Sequence, residues 1–229
     1  MFDDFIERAR SGVAELDSLD PERRLFGAGS HAYRIGATVP EATLSQLESR
    51  WEFRAPAAYR AFMLHVGDGG AGPAYGVLPF GQVDDGFGFT AWESWGLRPG
   101  APFPHRAAWN DTTLLDEGAP IRGEFPDDSS FQAAHDAWWR SEAPGEARDA
   151  YFEGLATQLG CLPICHHGCG IRDWLVVTGP EAGHVWHDSG VDEGGIAPVR
   201  FGDLDRVTFD TWWLHWLDES LRELRTSGL

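Results

Sequence analysis

"IRDWLVVTGPEAGHVWHD", residues 171–188, holds two runs rich in branched and aromatic side chains, IRDWLVV and GHVWHD. Such side chains pack well on a pleated surface and favour extended backbone. The GPEAG between them supplies the turn, since glycine tolerates positive φ and proline fixes its own φ. The stretch therefore reads as an antiparallel hairpin, and IAPVRF at residues 196–201 extends it into a sheet. C-terminal to the sheet, VTFDTWWLHWLDESLRELR at residues 207–225 has helical spacing. Thr208 can cap that helix, and Phe209, Trp212, Trp213, Trp216 and Leu217 make a broad aromatic face.

N-terminal to the sheet the chain reads as helical. FDDFIERARSGVAELDSL places Phe2, Phe5, Ile6, Ala9, Val13 and Leu16 on one stripe, weakened slightly by Gly12. Thr38 followed by Glu41 gives a capping-box pattern, with Pro40 near the first turn and Leu44, Leu47 and Trp51 on one face. A further helix starts near Pro56, carries Tyr59, Phe62, Met63 and Val66 inward, and stops at Gly67. GDGGAGPAYGVLPF then turns into an expected short strand at residues 75–80. Residues 81–160 read as a long loop pinned by Trp92, Trp95, Phe103 and Trp109, followed by two Ala-rich helices. Helices first, antiparallel sheet late and a closing helix define an α+β class. The expected organisation is one domain over residues 1–229: a helix and connection to residue 30, and an insertion at 81–160.

Composition narrows the chemistry. The 229 residues include eleven Trp and fourteen Phe, enough for a sizeable core. All 18 basic residues are Arg, and without Lys there is no phosphate-loop lysine, no kinase-type lysine and no Schiff base. Lysine-free composition also points to a GC-rich, bacterial coding sequence. Thirty-six carboxylates leave a net charge of −18, which repels nucleic acid and attracts basic partners. No apolar run reaches the length of a bilayer span, and MFDDFIERAR lacks the apolar core of a secretory signal. Three cysteines without an export signal suit a reducing cytoplasm.

Chemistry-bearing side chains concentrate in GCLPICHHGCG, residues 160–170. Cys161, Cys165, His166, His167 and Cys169 are all metal-ligand types, and His184 and His187 across the hairpin could complete a set. The spacing fits neither paired zinc ligands nor an iron–sulfur motif, so no metal or other cofactor is expected. Cys161 and Cys165 read instead as small apolar side chains entering a strand, with HHGCG as a turn. A thiol nucleophile assembled from Cys169, His187 and Asp188 has no supporting signature, and no G-x-S-x-G is present. GDGGAG follows a helix and carries no basic residue, so it reads as a turn, not a phosphate cradle. DSGVDEGG at residues 188–195 lacks the ladder of a calcium loop.

VPEATLSQLESRWEFRAPAAYRAFMLHVGDGGAGPAYGVLPF, residues 39–80, resembles the opening of the SUKH superfamily, the group of the yeast Smi/Knr cell-wall synthesis regulator. LPICHHGCGIRDWLVVTGPEAGHVWHD and VTFDTWWLHWLDESL resemble the later strands and closing helix of its bacterial members, while the middle matches loosely. The resemblance implies a twisted sheet flanked by helices, no metal and no catalysis. Its bacterial members are mostly immunity proteins, which bind and neutralise a toxin domain encoded beside them. The alternative it leaves is an adaptor that regulates a cellular protein.

An acidic inhibitor would be steered to a basic, phosphate-binding toxin. The expected partner is therefore a cognate protein toxin, neither nucleic acid nor membrane. The expected docking carboxylates are Asp84 with Asp85; Glu124 with Asp127 and Asp128; and Asp188 with Asp192 and Glu193.

Overall fold

In the computed structural model, which describes residues 2–80 and 96–227, four antiparallel strands pair in chain order. They are β1 (Cys161–Gly168), β2 (Ile171–Val176), β3 (Val185–Asp188) and β4 (Ile196–Pro198). The helices are α1 (Asp3–Leu19), a short α2 (Ala28–His31), α3 (Glu41–Arg50), α4 (Ala57–His65), α5 (Asp128–Trp139), α6 (Ala143–Leu155) and α7 (Phe209–Ser227). The class is α+β, as the alternation of residues 171–188 requires.

Side chains alternate across a strand, so β2 and β3 divide their residues between two faces. Asp173, Leu175, Val185 and His187 share one face; Arg172, Trp174, Trp186 and Asp188 share the other. Helices α1, α4 and α7 cover the first face. Phe5, Phe62, Phe209 and Trp213 meet there with ring centroids 5.2 to 6.5 Å apart. Ion pairs Arg8–Asp218 and Arg225–Glu15 tie α1 to α7 at one constant offset, so the two helices run side by side in the same direction. The two helices approach closely at Gly12: a Cβ there would lie 2.5 Å from Leu217 Cδ2. What reads as a weak spot in a helix is a packing contact.

The second face is covered by α6 and the chain before it. Phe103 stands edge-on to Trp186 at 5.0 Å, and His105 Nε2 lies 3.0 Å from the Leu155 carbonyl oxygen. Tyr151 of α6 accepts a hydrogen bond from Gly195 N and donates one to Asn110 Oδ1, fastening the loop after β3.

Two expectations change. The capping box at Thr38 does not form, because α3 begins after Pro40, which serves as its N-cap without a side-chain hydrogen bond. The residue before a proline, here Val39, is held extended, so Thr38 sits two positions before the N-cap, too far out to cap. The strand expected at 75–80 is reduced to isolated bridges from Val77 to Gly70 and Cys165, since Gly76 (φ 101°) and Pro79 interrupt the ladder. Of the loop anchors, Phe103 is buried and Trp109 half-buried; Trp92 and Trp95 lie outside the described residues. Among the described residues no helix is long and apolar enough to cross a membrane.

One buried group makes the fold sensitive to acid. His31 at the end of α2 accepts a hydrogen bond from Tyr33 N and stands edge-on to Trp216 at 5.9 Å. Burial, helped by the nearby Arg23 charge, lowers its pKa to about 4. In the unfolded chain it titrates near 6.5, so between these values the unfolded state binds the proton and the folded state does not. Stability is therefore lost as pH falls from about 6.5 to about 4 and levels off below, by about 2–3 kcal/mol. Urea midpoints across that window should show the slope, and His31→Gln should flatten it; an unchanged slope in the variant would exclude His31 as the cause.

Candidate functional site

The inward position of Asp173 on β2 would suit an apolar side chain, yet it holds a carboxylate that is 3% exposed. A buried carboxylate persists only with partners. Oδ1 accepts a hydrogen bond from His187 Nδ1 at 2.7 Å, directly across the β2–β3 pair. Oδ2 accepts one from Trp212 Nε1 of α7 at 3.0 Å. His167 Nε2 lies 2.9 Å from the same Oδ2, but off the line that a ring N–H hydrogen bond needs, and this buried nitrogen has no other partner.

Two irregularities in β1 deliver the remaining donor atoms. The register with β2 slips between Pro163 and Cys165 and again between His166 and Gly168. A bulge turns its strand and re-aims the side chains that follow. Cys165 thus pairs with Asp173 on the inner side, and His167 follows it there; the Cys165 sulfur, a His167 ring nitrogen and an Asp173 oxygen all lie within 4.8 Å of one another. His167, Asp173 and His187 floor a cleft of about 320 Å³ whose walls include Phe201, His215 and Trp216.

The electrostatics follow from the contacts. Burial works to raise the Asp173 carboxyl, but the hydrogen bond from His187 and the charges of His167 and His187 outweigh it and hold it below the usual carboxylate range. His187 moves up, chiefly through its hydrogen bond to Asp173. Burial pushes the Cys165 thiol well up, and its Sγ donates to the Pro73 carbonyl. The cluster is thus suited to holding a proton or a cation, whereas its thiol is a poor nucleophile in this state.

No protein-family model matches the chain, and no curated protein or solved structure matches it.

Of the five clustered ligand-type residues, only Cys165 and His167 reach this centre. Cys161 lies at the far end of β1, its Sγ donating to the Thr157 carbonyl. His166 stacks on Tyr75 at 5.9 Å, and Cys169 is exposed in the β1–β2 turn. His187 joins the centre, whereas His184 faces Glu181. The nucleophile set of Cys169, His187 and Asp188 is not assembled, because strand alternation puts Asp188 on the opposite face and His187 pairs with Asp173.

The same alternation corrects Asp188 as a docking residue. It is buried, and accepts hydrogen bonds from Trp174 Nε1 and Gly190 N, so it cannot meet a partner. Asp192 and Glu193 of that cluster are exposed. Glu124, Asp127 and Asp128 are exposed too, though Asp127 caps α5 through Ser130 N and Asp128 pairs with Arg122. Asp84 and Asp85 lie outside the described residues.

A larger acidic surface emerges around these residues. Residues 111–153 carry eleven carboxylates against three arginines, a net of −8. Helix α5 has no buried residue; its last residue, Trp139, is 67% exposed, and Ile121 ahead of the helix is 64% exposed. Between α5 and the loop after β3 runs a groove of about 600 Å³, lined among others by Asp116, His135, Trp139, Arg148, Asp192 and Glu193. The exposed aromatic side chains were invisible to spacing arguments, since SSFQAAHDAWW has a helical period whichever way its apolar side faces.

Proposed function

We propose that this chain is a non-catalytic binding protein of the cytoplasm that neutralises a cognate, basic bacterial toxin domain, in the manner that its resemblance to SUKH immunity proteins implies. The observation that carries the reading is the acidic lobe at residues 111–153, with Asp192 and Glu193 across its groove. Protein interfaces concentrate their energy in a few aromatic anchors inside a polar rim, and Trp139 and Ile121 stand exposed within such a rim. Among the described residues no ion pair engages Asp116, Glu124, Asp192 or Glu193, so these charges remain available to a cation-rich partner. The free cysteines suit a reducing compartment.

The test is co-expression with the toxic domain encoded beside this gene. Cells should survive only when the wild-type chain is present. Reversing Asp116, Glu124, Asp192 and Glu193 to Arg should slow association by about 10–100-fold and abolish its salt dependence. Trp139→Ala should raise the dissociation rate instead. Killing that persists beside the wild-type chain would remove the immunity reading and leave a regulatory adaptor. Protection undiminished by the reversed variant would remove the acidic lobe as the docking face.

A further inference from the structure

The bulges of β1 bring three unlike donor atoms to one buried point. We infer that Cys165, His167 and Asp173 form a binding site for a divalent transition-metal ion, zinc being the ion that the donor set favours. Sulfur, imidazole nitrogen and carboxylate oxygen together are the ligands of zinc and its neighbours; magnesium and calcium require oxygen alone. The three atoms lie within 4.8 Å of one another. A zinc ion holds such ligands roughly 3.3–3.8 Å apart, so side-chain adjustments of about 1 Å complete the shell.

Independent support comes from His167. Its Nε2 is buried, is 2.9 Å from a carboxylate oxygen and makes no hydrogen bond with it. A buried polar atom in that condition is costly, and a cation seated between nitrogen, oxygen and sulfur satisfies all three. Asp173 is already braced for this role. Trp212 Nε1 and His187 Nδ1 each donate to it, fixing the carboxylate as outer hydrogen bonds fix metal ligands generally. On binding, the Cys165 thiol gives up its proton to water and the thiolate takes the metal, while His167 binds as the neutral imidazole. Two of the three ligands, His167 and Asp173, line the cleft beside His215 and Trp216, by which water or a partner's side chain can reach the ion.

The site is independent of the acidic lobe, so failure of toxin docking leaves it standing. The full chain, stripped with a chelator, is titrated with zinc by calorimetry and with cobalt by absorption. The expected result is one ion per chain, a thiolate-to-cobalt charge-transfer band and a raised Tm. Cys165→Ala should remove the band and weaken zinc about 100-fold or more. His167→Gln should weaken it about 10–100-fold and keep the band. Cys161→Ala with Cys169→Ser should change neither, which assigns the band to Cys165 even if the Cys165 variant fails to fold. Absence of saturable binding, a band that survives Cys165→Ala, or one that disappears with Cys169 would overturn the site.

Discussion

Trp213→Ala should destabilise the protein by about 4–5 kcal/mol, near the upper end for a single core truncation. The indole is fully buried where α7 meets α1 and α4, against Phe5, Phe62 and Trp216. Its removal deletes contacts with three rings, Phe5 on α1, Phe62 on α4 and Trp216 on α7 itself. It also takes away the hydrogen bond from Nε1 to the Ala71 carbonyl, leaving a buried acceptor in the glycine-rich turn. That turn bridges through Gly70 and Val77 to Cys165 of β1, so the loss spreads from the helical layer to the sheet edge. A folded domain is stable by about 5–15 kcal/mol, so the variant should sit close to its unfolding threshold. Trp213→Phe keeps most of the packing and forfeits the N–H, and should cost about 1–2 kcal/mol. Urea midpoints of the three proteins decide it; a Trp213→Ala loss below about 1 kcal/mol would mean that the ring cluster is not the centre of the core.

The helices and the late sheet were legible because their apolar periods are long and unbroken. The stripe of α1, the aromatic face of α7 and the IRDWLVV–GHVWHD pair each repeat their signal over several residues, and burial follows that signal. The site was legible only in part. Cys165 and His167 stand out by residue type, but their convergence depends on two register slips that no local propensity marks; only Pro163 in mid-strand hints at them. His187 and Asp188 are adjacent, so sequence alone could pair either with the histidine-rich turn. Alternation sends them to opposite faces, which made His187 a member of the centre and removed Asp188 from the surface. The clearest missed signal was Asp173, a carboxylate on the inward face that it shares with Leu175 and Val185, where a charge is tolerated only if something answers it.

What answers it sets the second large expectation. Asp173→Ala, measured with chelator present, should cost about 3–4 kcal/mol. The aspartate gives little through its own burial; the loss comes from the groups it leaves behind. Trp212 Nε1 is buried and would keep its proton without an acceptor, and His187 would lose the contact that holds its charge beside the sheet. Because His187 retains some access to water through the cleft, its share is the smaller one, and Trp212 carries most of the penalty. The variants should therefore rank by how many donors stay unanswered. Asp173→Asn keeps one acceptor oxygen and should lose about half as much. Trp212→Phe added to Asp173→Ala should cost less than the two single losses together, since the orphaned N–H is gone. His187→Ala added to Asp173→Ala should likewise be cheaper than in the wild type. Additive losses in both double variants would show that α7 is pinned to the sheet by its rings alone, and that the carboxylate joining Trp212 to His187 is dispensable to the fold.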